Sequence, residues 1–170
     1  KSAYSQVDLK PTFGVIFEDY LCGYDFWGNC DIDVVWGDIR RFFTEEILCD
    51  YDLISTRKQL LSGHLMLWRN TAQVNRLYEL APAYREILAS RYHHGFDEPV
   101  LSALLHDRQA AGLPLPNIYW PEQLVTWMHD GMTPAGWRWE NGRLFDAGGS
   151  EHIYLHFQDW KRHLLTVDLG

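Results

Sequence analysis

Apolar residues recur three and four positions apart at Phe13, Ile16, Phe17, Tyr20 and Leu21, behind Pro11. That spacing predicts an amphipathic helix over 12–22, stopped by Gly23, and leaves the polar first ten residues extended. Residues 24–35 are short, aromatic and β-branched, and read as one buried strand. Asp38 is placed to cap a helix through Ile39 and Phe42, and Thr44 to cap another whose first turn carries Glu45 and Glu46. Strands follow at 52–56 and 63–68. Asn70 or Thr71 then caps a helix bearing Val74, Leu77, Tyr78 and Leu80, with another helix over 82–90. Residues 92–99 read as a loop, and Pro99 opens the helix of Val100, Leu101, Leu104 and Leu105.

A stiff connector at 112–116 leads to a short strand at 117–120. Asn141-Gly142 supplies the positive φ angles of a two-residue type I′ turn, so 137–145 reads as a hairpin. Residues 152–157 alternate as a last strand, and 158–164 form a helical turn. Strands and helices intermix without an internal repeat or linker, which predicts a single α/β or mixed α+β domain over 1–170.

With 46% hydrophobic and 22% charged residues in 170, the balance excludes a disordered chain, a collagen or a coiled coil. No apolar run approaches the roughly 20 residues that span a bilayer. A net charge of −8 argues against nucleic acid as a partner, although a metal ion can supply local positive charge for a nucleotide. Cys22, Cys30 and Cys49 form no close pair, which points to a reducing compartment, the cytoplasm, and away from a disulfide framework or zinc knuckle. Lys1 opens the chain with neither Met nor a signal-peptide pattern, as in a processed or truncated piece.

The most informative chemistry is Asp31-Ile32-Asp33. In a strand, Asn29, Asp31 and Asp33 share one face and Cys30 and Ile32 the other. Two carboxylates on one face repel unless a cation or proton lies between them, so the pair is either a hard-cation site or a solvated strand end. An EF-hand is excluded, because its fifth and sixth positions would be Val35 and Trp36. The local pattern Asp-x-Asp-x-Val also suits a phosphatase with an aspartyl nucleophile, but the acidic pair expected after a later lysine is missing beyond Lys161.

The segment Phe26 to Ile39 resembles the Asp-x-Asp segment of GT-A-fold, metal-dependent glycosyltransferases, closest to an uncharacterised bacterial polysaccharide-biosynthesis family. The resemblance implies a GT-A-like mixed sheet flanked by helices, with Asp31 and Asp33 holding Mn²⁺ or Mg²⁺ against the diphosphate of a nucleotide-sugar donor. Further segments match in order. Ser62 to Asn70 resembles the strand where a small residue, Gly63, lets the donor sugar approach; His64 beside it is either a ligand contact or a satisfied core histidine. Asp97-Glu98 resembles the acidic-plus-amide pair that touches donor or acceptor, with Glu98 in place of the amide, and is equally a helix start favoured by the dipole. If the reaction inverts, either acid is the candidate base. Tyr154 to Lys161 resembles a late His-x-x-x-x-Lys element, which implies His156 as third metal ligand and Lys161 on the diphosphate. Trp120, Trp127, Trp137 and Trp139 are the candidate platforms for a glycan acceptor.

Such enzymes carry a nucleotide-binding half ahead of the Asp-x-Asp strand, and here Asp31 lies close to the start of the chain. The expectation is a C-terminal portion that is inactive alone and self-associates through an exposed sheet edge. The alternative is a non-catalytic carbohydrate-binding or interaction module on the same fold.

Overall fold

A computed structural model describes residues 3–122, 124, 126–127 and 135–158. Its strands are β1 (Phe26–Cys30), β2 (Val34–Trp36), β3 (Leu53–Ile54), β4 (Leu65–Arg69), β5 (Ile118–Tyr119), β6 (Thr126–Trp127), β7 (Arg138–Glu140), β8 (Arg143–Phe145), β9 (Glu151–His152) and β10 (Tyr154–His156). They form three small sheets, in the orders β1-β4-β3-β5, β2-β10-β6 and β7-β8-β9. The first two are mixed, since β3 pairs parallel with β5 and β10 parallel with β6; the third is antiparallel. The fold is therefore mixed α/β. Among the described residues no helix is long and apolar enough to cross a membrane.

Trp27 on β1 pairs with Trp68 on β4, and the two rings stack with centroids 5.2 Å apart. Each indole N–H must find an acceptor once buried. Trp27 donates to Asn75 Oδ1 at 2.7 Å, and Trp68 to Asn29 Oδ1 at 2.8 Å. This pair anchors one apolar cluster with Leu53, Leu61, Phe96, Leu101 and Leu105, so helix Leu101–Ala110 packs against the first sheet. A second cluster of Phe43, Ile54, Leu65, Ile153 and Tyr154 joins the first sheet to the second. Leu53 and Ile54 are adjacent, both fully buried and in different clusters, which makes β3 a strand covered on both faces.

Several expected elements take another form, among them the helix after Thr71, which is an α-helical turn Ala72–Asn75 followed by a 3-10 turn Leu77–Leu80, and the loop over 92–99, whose end is a π-helical turn Phe96–Val100. The first residues are a 3-10 helix, Ala3–Thr12, because their polar groups have buried partners: Asp8 accepts from the N–H groups of His94 and Phe96 at 2.9 and 2.7 Å. The helix over 12–22 is two single turns, Phe13–Ile16 and Glu18–Leu21, broken at Phe17. Gly14 is pinned so closely that an added Cβ would lie 2.6 Å from Asn75 and 2.7 Å from Trp27. Ile16, Phe17 and Tyr20 are exposed, so no buried stripe extends the helix. The strand over 24–35 is divided between β1 and β2, in different sheets, with the link at 31–33. The strand over 152–157 is likewise divided into β9 and β10. The hairpin forms with φ of 51° at Asn141 and 80° at Gly142, and Thr44 and Thr71 accept the capping N–H bonds. The turn over 158–164 falls almost wholly outside the described residues.

Candidate metal centre

The chain leaves the first sheet at Cys30 and enters the second at Val34. Ile32 points fully into solvent, while Asp31 and Asp33 turn inward. Strand β10 runs antiparallel to β2 with His156 opposite Val34, and the Phe157 N–H donates to the Asp33 carbonyl at 2.9 Å. That register carries the His156 ring to the two acids. Its Nε2 stands 3.5 Å from Asp31 Oδ2 and 3.3 Å from Asp33 Oδ1. One ligand atom from each residue fits within 4.8 Å of the others. Thus Asp31, Asp33 and His156, far apart in sequence, converge.

The wall of this centre is polar and buried. His64 shares a hydrogen bond with Ser62 Oγ at 2.6 Å through Nδ1, which also lies 3.2 Å from the Tyr154 hydroxyl, and its ring centroid is 4.6 Å from that of His156. Burial, then the neighbouring His156, Arg57 and Lys10, push its pKa down to about 3, so His64 is neutral at ordinary pH. Burial also pushes the Tyr154 hydroxyl up to about 12.

Asp97 and Glu98 lie across from this wall, in a wide turn entered through Gly95 at a φ of 67°. Glu98 Oε1 accepts the Gly63 N–H at 2.8 Å and lies 3.3 Å from Arg57 Nη1. Asp97 is buried, and burial raises its carboxyl to about 6, with Lys10 opposing and Glu98 adding to the shift. A Cβ on residue 63 would stand 2.7 Å from Asp97 Oδ2 and 3.2 Å from Glu98 Oε1. The missing side chain at Gly63 therefore admits these two acids.

Two residues here had no sequence signal. Lys10 sits in a featureless polar stretch, yet its ammonium hydrogen-bonds Asp31 Oδ1 and donates to the Gly63 carbonyl at 2.8 Å. Arg57 lies in a tight turn and places its guanidinium 5.4 Å from the centroid of the Trp127 ring. Trp127 itself borders the centre, 5.8 Å from the His64 ring. The other three candidate platforms lie elsewhere: Trp120 stacks on His106, Trp137 packs on His152, and the exposed Trp139 donates to the Trp36 carbonyl at 2.9 Å. Lys161 lies outside the described residues.

A family described as a family of unknown function, DUF6625, matches residues 1–167. The chain belongs to the DUF6625 family. No curated protein and no solved structure matches the chain.

In this DUF6625 member the donor set of two carboxylate oxygens and one imidazole nitrogen suits a divalent cation. An imidazole in the set favours Mn²⁺ over Mg²⁺, which prefers oxygen alone. Among the described residues His156 Nδ1 is buried without a hydrogen-bond partner, so the ring's polar contacts are concentrated at Nε2, facing the acids. Asp31, Asp33 and His156 would hold the ion, and a bound cation would act as a Lewis acid toward phosphoryl oxygens.

Proposed function

We propose that this protein is a metal-dependent glycosyltransferase, or the C-terminal portion of one. It would transfer a sugar from a nucleotide-sugar donor to a glycan acceptor in bacterial polysaccharide biosynthesis. The observation that carries the reading is the convergence of Asp31, Asp33 and His156 within 4.8 Å. It joins the Asp-x-Asp segment to the late histidine that the GT-A resemblance paired with it. A GT-A-like arrangement of the sheets belongs to the same proposal.

On this reading the chain's own residues divide the work. Asp31, Asp33 and His156 would hold the ion, which would supply positive charge toward a departing nucleoside diphosphate. If the reaction inverts, Asp97, with its carboxyl raised to about 6, is matched to take a proton from an acceptor hydroxyl near neutral pH. Glu98 holds the Gly63 turn through the backbone N–H and acts as a positioning residue. Trp127 offers an aromatic face beside the centre for a sugar ring.

One observation favours the second reading, a carbohydrate-binding module without turnover. Asp97 faces Lys10 at 3.8 Å, and Glu98 faces Arg57 and the Gly63 N–H, so both acids already have partners. The two readings separate in one experiment. The protein is incubated with UDP- and GDP-sugars in Mn²⁺, and nucleoside diphosphate release is followed with and without chelator. Metal-dependent release supports the transferase. Glycan binding that persists in chelator, with no release in metal, supports the module.

A further inference from the structure

Lys10 ends in a cation buried among acids, with 9% of its side-chain surface exposed. A buried ammonium is costly unless paired and hydrogen-bonded. Here two of its N–H groups are used on Asp31 Oδ1 and the Gly63 carbonyl, and Asp97 Oδ2 stands 3.8 Å away. The Gly63 carbonyl also accepts from Asn29 Nδ2 at 3.2 Å. Lys10 thus ties together three segments that sequence places far apart.

Asp31 divides its two oxygens between two neighbours. Oδ1 faces the ammonium, and Oδ2 faces His156 Nε2. Lys10 and His156 therefore meet different oxygens of one carboxylate. Among the described residues the cluster brings together Asp31, Asp33, Asp97 and Glu98 against Lys10 and Arg57.

We propose that Lys10 is the resident counter-cation of the metal centre, holding Asp31, Gly63 and Asp97 together beside the ligands before an ion arrives. The inference rests on the reading of Asp31, Asp33 and His156 as metal ligands. Lys10 is a positioning residue: it touches the acids. Without it the carboxylates repel one another in the folded chain, and a bound ion relieves that repulsion, so stability becomes more dependent on the ion.

The test uses the full chain as wild type, Lys10→Met, Lys10→Arg, Asp31→Asn and the Lys10→Met/Asp31→Asn double variant. In chelator, urea midpoints are compared. Lys10→Met should lower the midpoint, Lys10→Arg should keep most of it, and the double variant should lie above Lys10→Met, because the carboxylate left without its cation is then gone. Losses that simply add in the double variant would overturn the proposal. In the second arm Mn²⁺ alone is the probe, with binding by calorimetry and melting temperature as readouts. The Mn²⁺-induced rise should be larger in Lys10→Met than in wild type by at least about 4 °C, a shift well resolved for a chain of this size. Lys10→Arg should behave as wild type. Mn²⁺ binding to wild type with an equal rise in Lys10→Met would overturn the Lys10 inference and leave the metal ligands standing. Absence of Mn²⁺ binding in every variant, with the coupling in chelator intact, would overturn the metal reading itself and the inference with it.

Discussion

Two histidine–carboxylate clusters stand at the ends of neighbouring strands, and they differ in completeness. At His152 both ring nitrogens are engaged: Nε2 lies 3.0 Å from Asp146 Oδ2, and Nδ1 shares a hydrogen bond with Thr126 Oγ1 at 2.8 Å. Asp146 also accepts the Ser150 N–H at 2.9 Å, and the adjacent Glu151 is met by Arg143 and Arg41. At His156 one nitrogen faces two acids, and the other has no hydrogen-bond partner among the described residues. One histidine per acid, with every atom matched, is a pin that holds a turn. One imidazole nitrogen shared between two carboxylates, with Lys10 on the far oxygen of Asp31, is an arrangement that a divalent cation can join. The lesson is that ligand chemistry shows in what a cluster leaves unmatched, more than in which residue types it contains.

The sharpest way to break this comparison is to remove one acid from each cluster. Asp33→Asn should weaken Mn²⁺ binding by at least about 100-fold, more than is typical for losing an outer partner of a metal ligand. Asp146→Asn should leave it unchanged. Calorimetric titration of both variants checks the pair, and equal losses would erase the distinction. Gly63→Ala comes next. A Cβ 2.7 Å from Asp97 Oδ2 forces the acid side of the centre to move, at a cost of about 1–3 kcal/mol in urea unfolding. An unchanged midpoint and unchanged Mn²⁺ affinity would show that the contact is not tight.

Acid titration sharpens the comparison further. His64 is held down at about 3 against 6.5 when unfolded, so its contribution to stability is complete above pH 6.5 and is lost as pH falls from there toward 3. Asp97 runs the other way. Its folded value of about 6 exceeds the unfolded 3.8, so its contribution is present below pH 3.8 and is lost as pH rises through about 6. In chelator, His64→Gln should flatten the loss of stability on the acid side of pH 6.5. Asp97→Asn should steepen it, since the opposing slope is removed. Urea midpoints at pH 4 to 7 read both, and identical profiles for the three proteins would count against these shifts. The smallest effect belongs to the outer cluster. Asp146 is held below the ordinary carboxylate range by its His152 hydrogen bond, so its contribution is present above that range and is lost only as pH falls through the lowered value. Because solvent still reaches both partners of that half-buried pair, Asp146→Asn should barely move the melting temperature at pH 7.

The two acids of the triad carry a local signal, whereas His156 was paired with them only by the GT-A resemblance. Asp31 and Asp33 share a strand-like spacing after an apolar run, and His156 alternates with Ile153, Leu155 and Phe157. Within β10 the structure keeps that parity, with Tyr154 and His156 both within ring contact of His64 and Leu155 in another cluster, while Ile153, at the break between β9 and β10, packs with Tyr154. The change of sheet at 31–33 was not legible, since the residues on both sides are equally apolar and β-prone. Whether they continue one ladder is decided by partners elsewhere, β4 for one half and β10 for the other. Lys10 was invisible for a related reason. A single lysine in a polar stretch reads as solvated, and only the arrival of Asp31, Gly63 and Asp97 from other segments buries it. The broken helix at Phe17 shows the same limit. Its 3.6-residue pattern is real, but Ile16, Phe17 and Tyr20 remain exposed among the described residues, and a pattern alone does not hold a helix together.

The link between β1 and β2 has a mechanical consequence. Because one short run of chain passes from the first sheet into the second, sliding or opening of one sheet against the other must strain the positions of Asp31 and Asp33, while His156 moves with the second sheet. An ion held by all three would act as a rivet through that joint. Loading it should slow amide exchange on both sides of the seam together, in β1 and β4 as well as in β2 and β10, whereas the hairpin of β7 and β8 should exchange at its former rate.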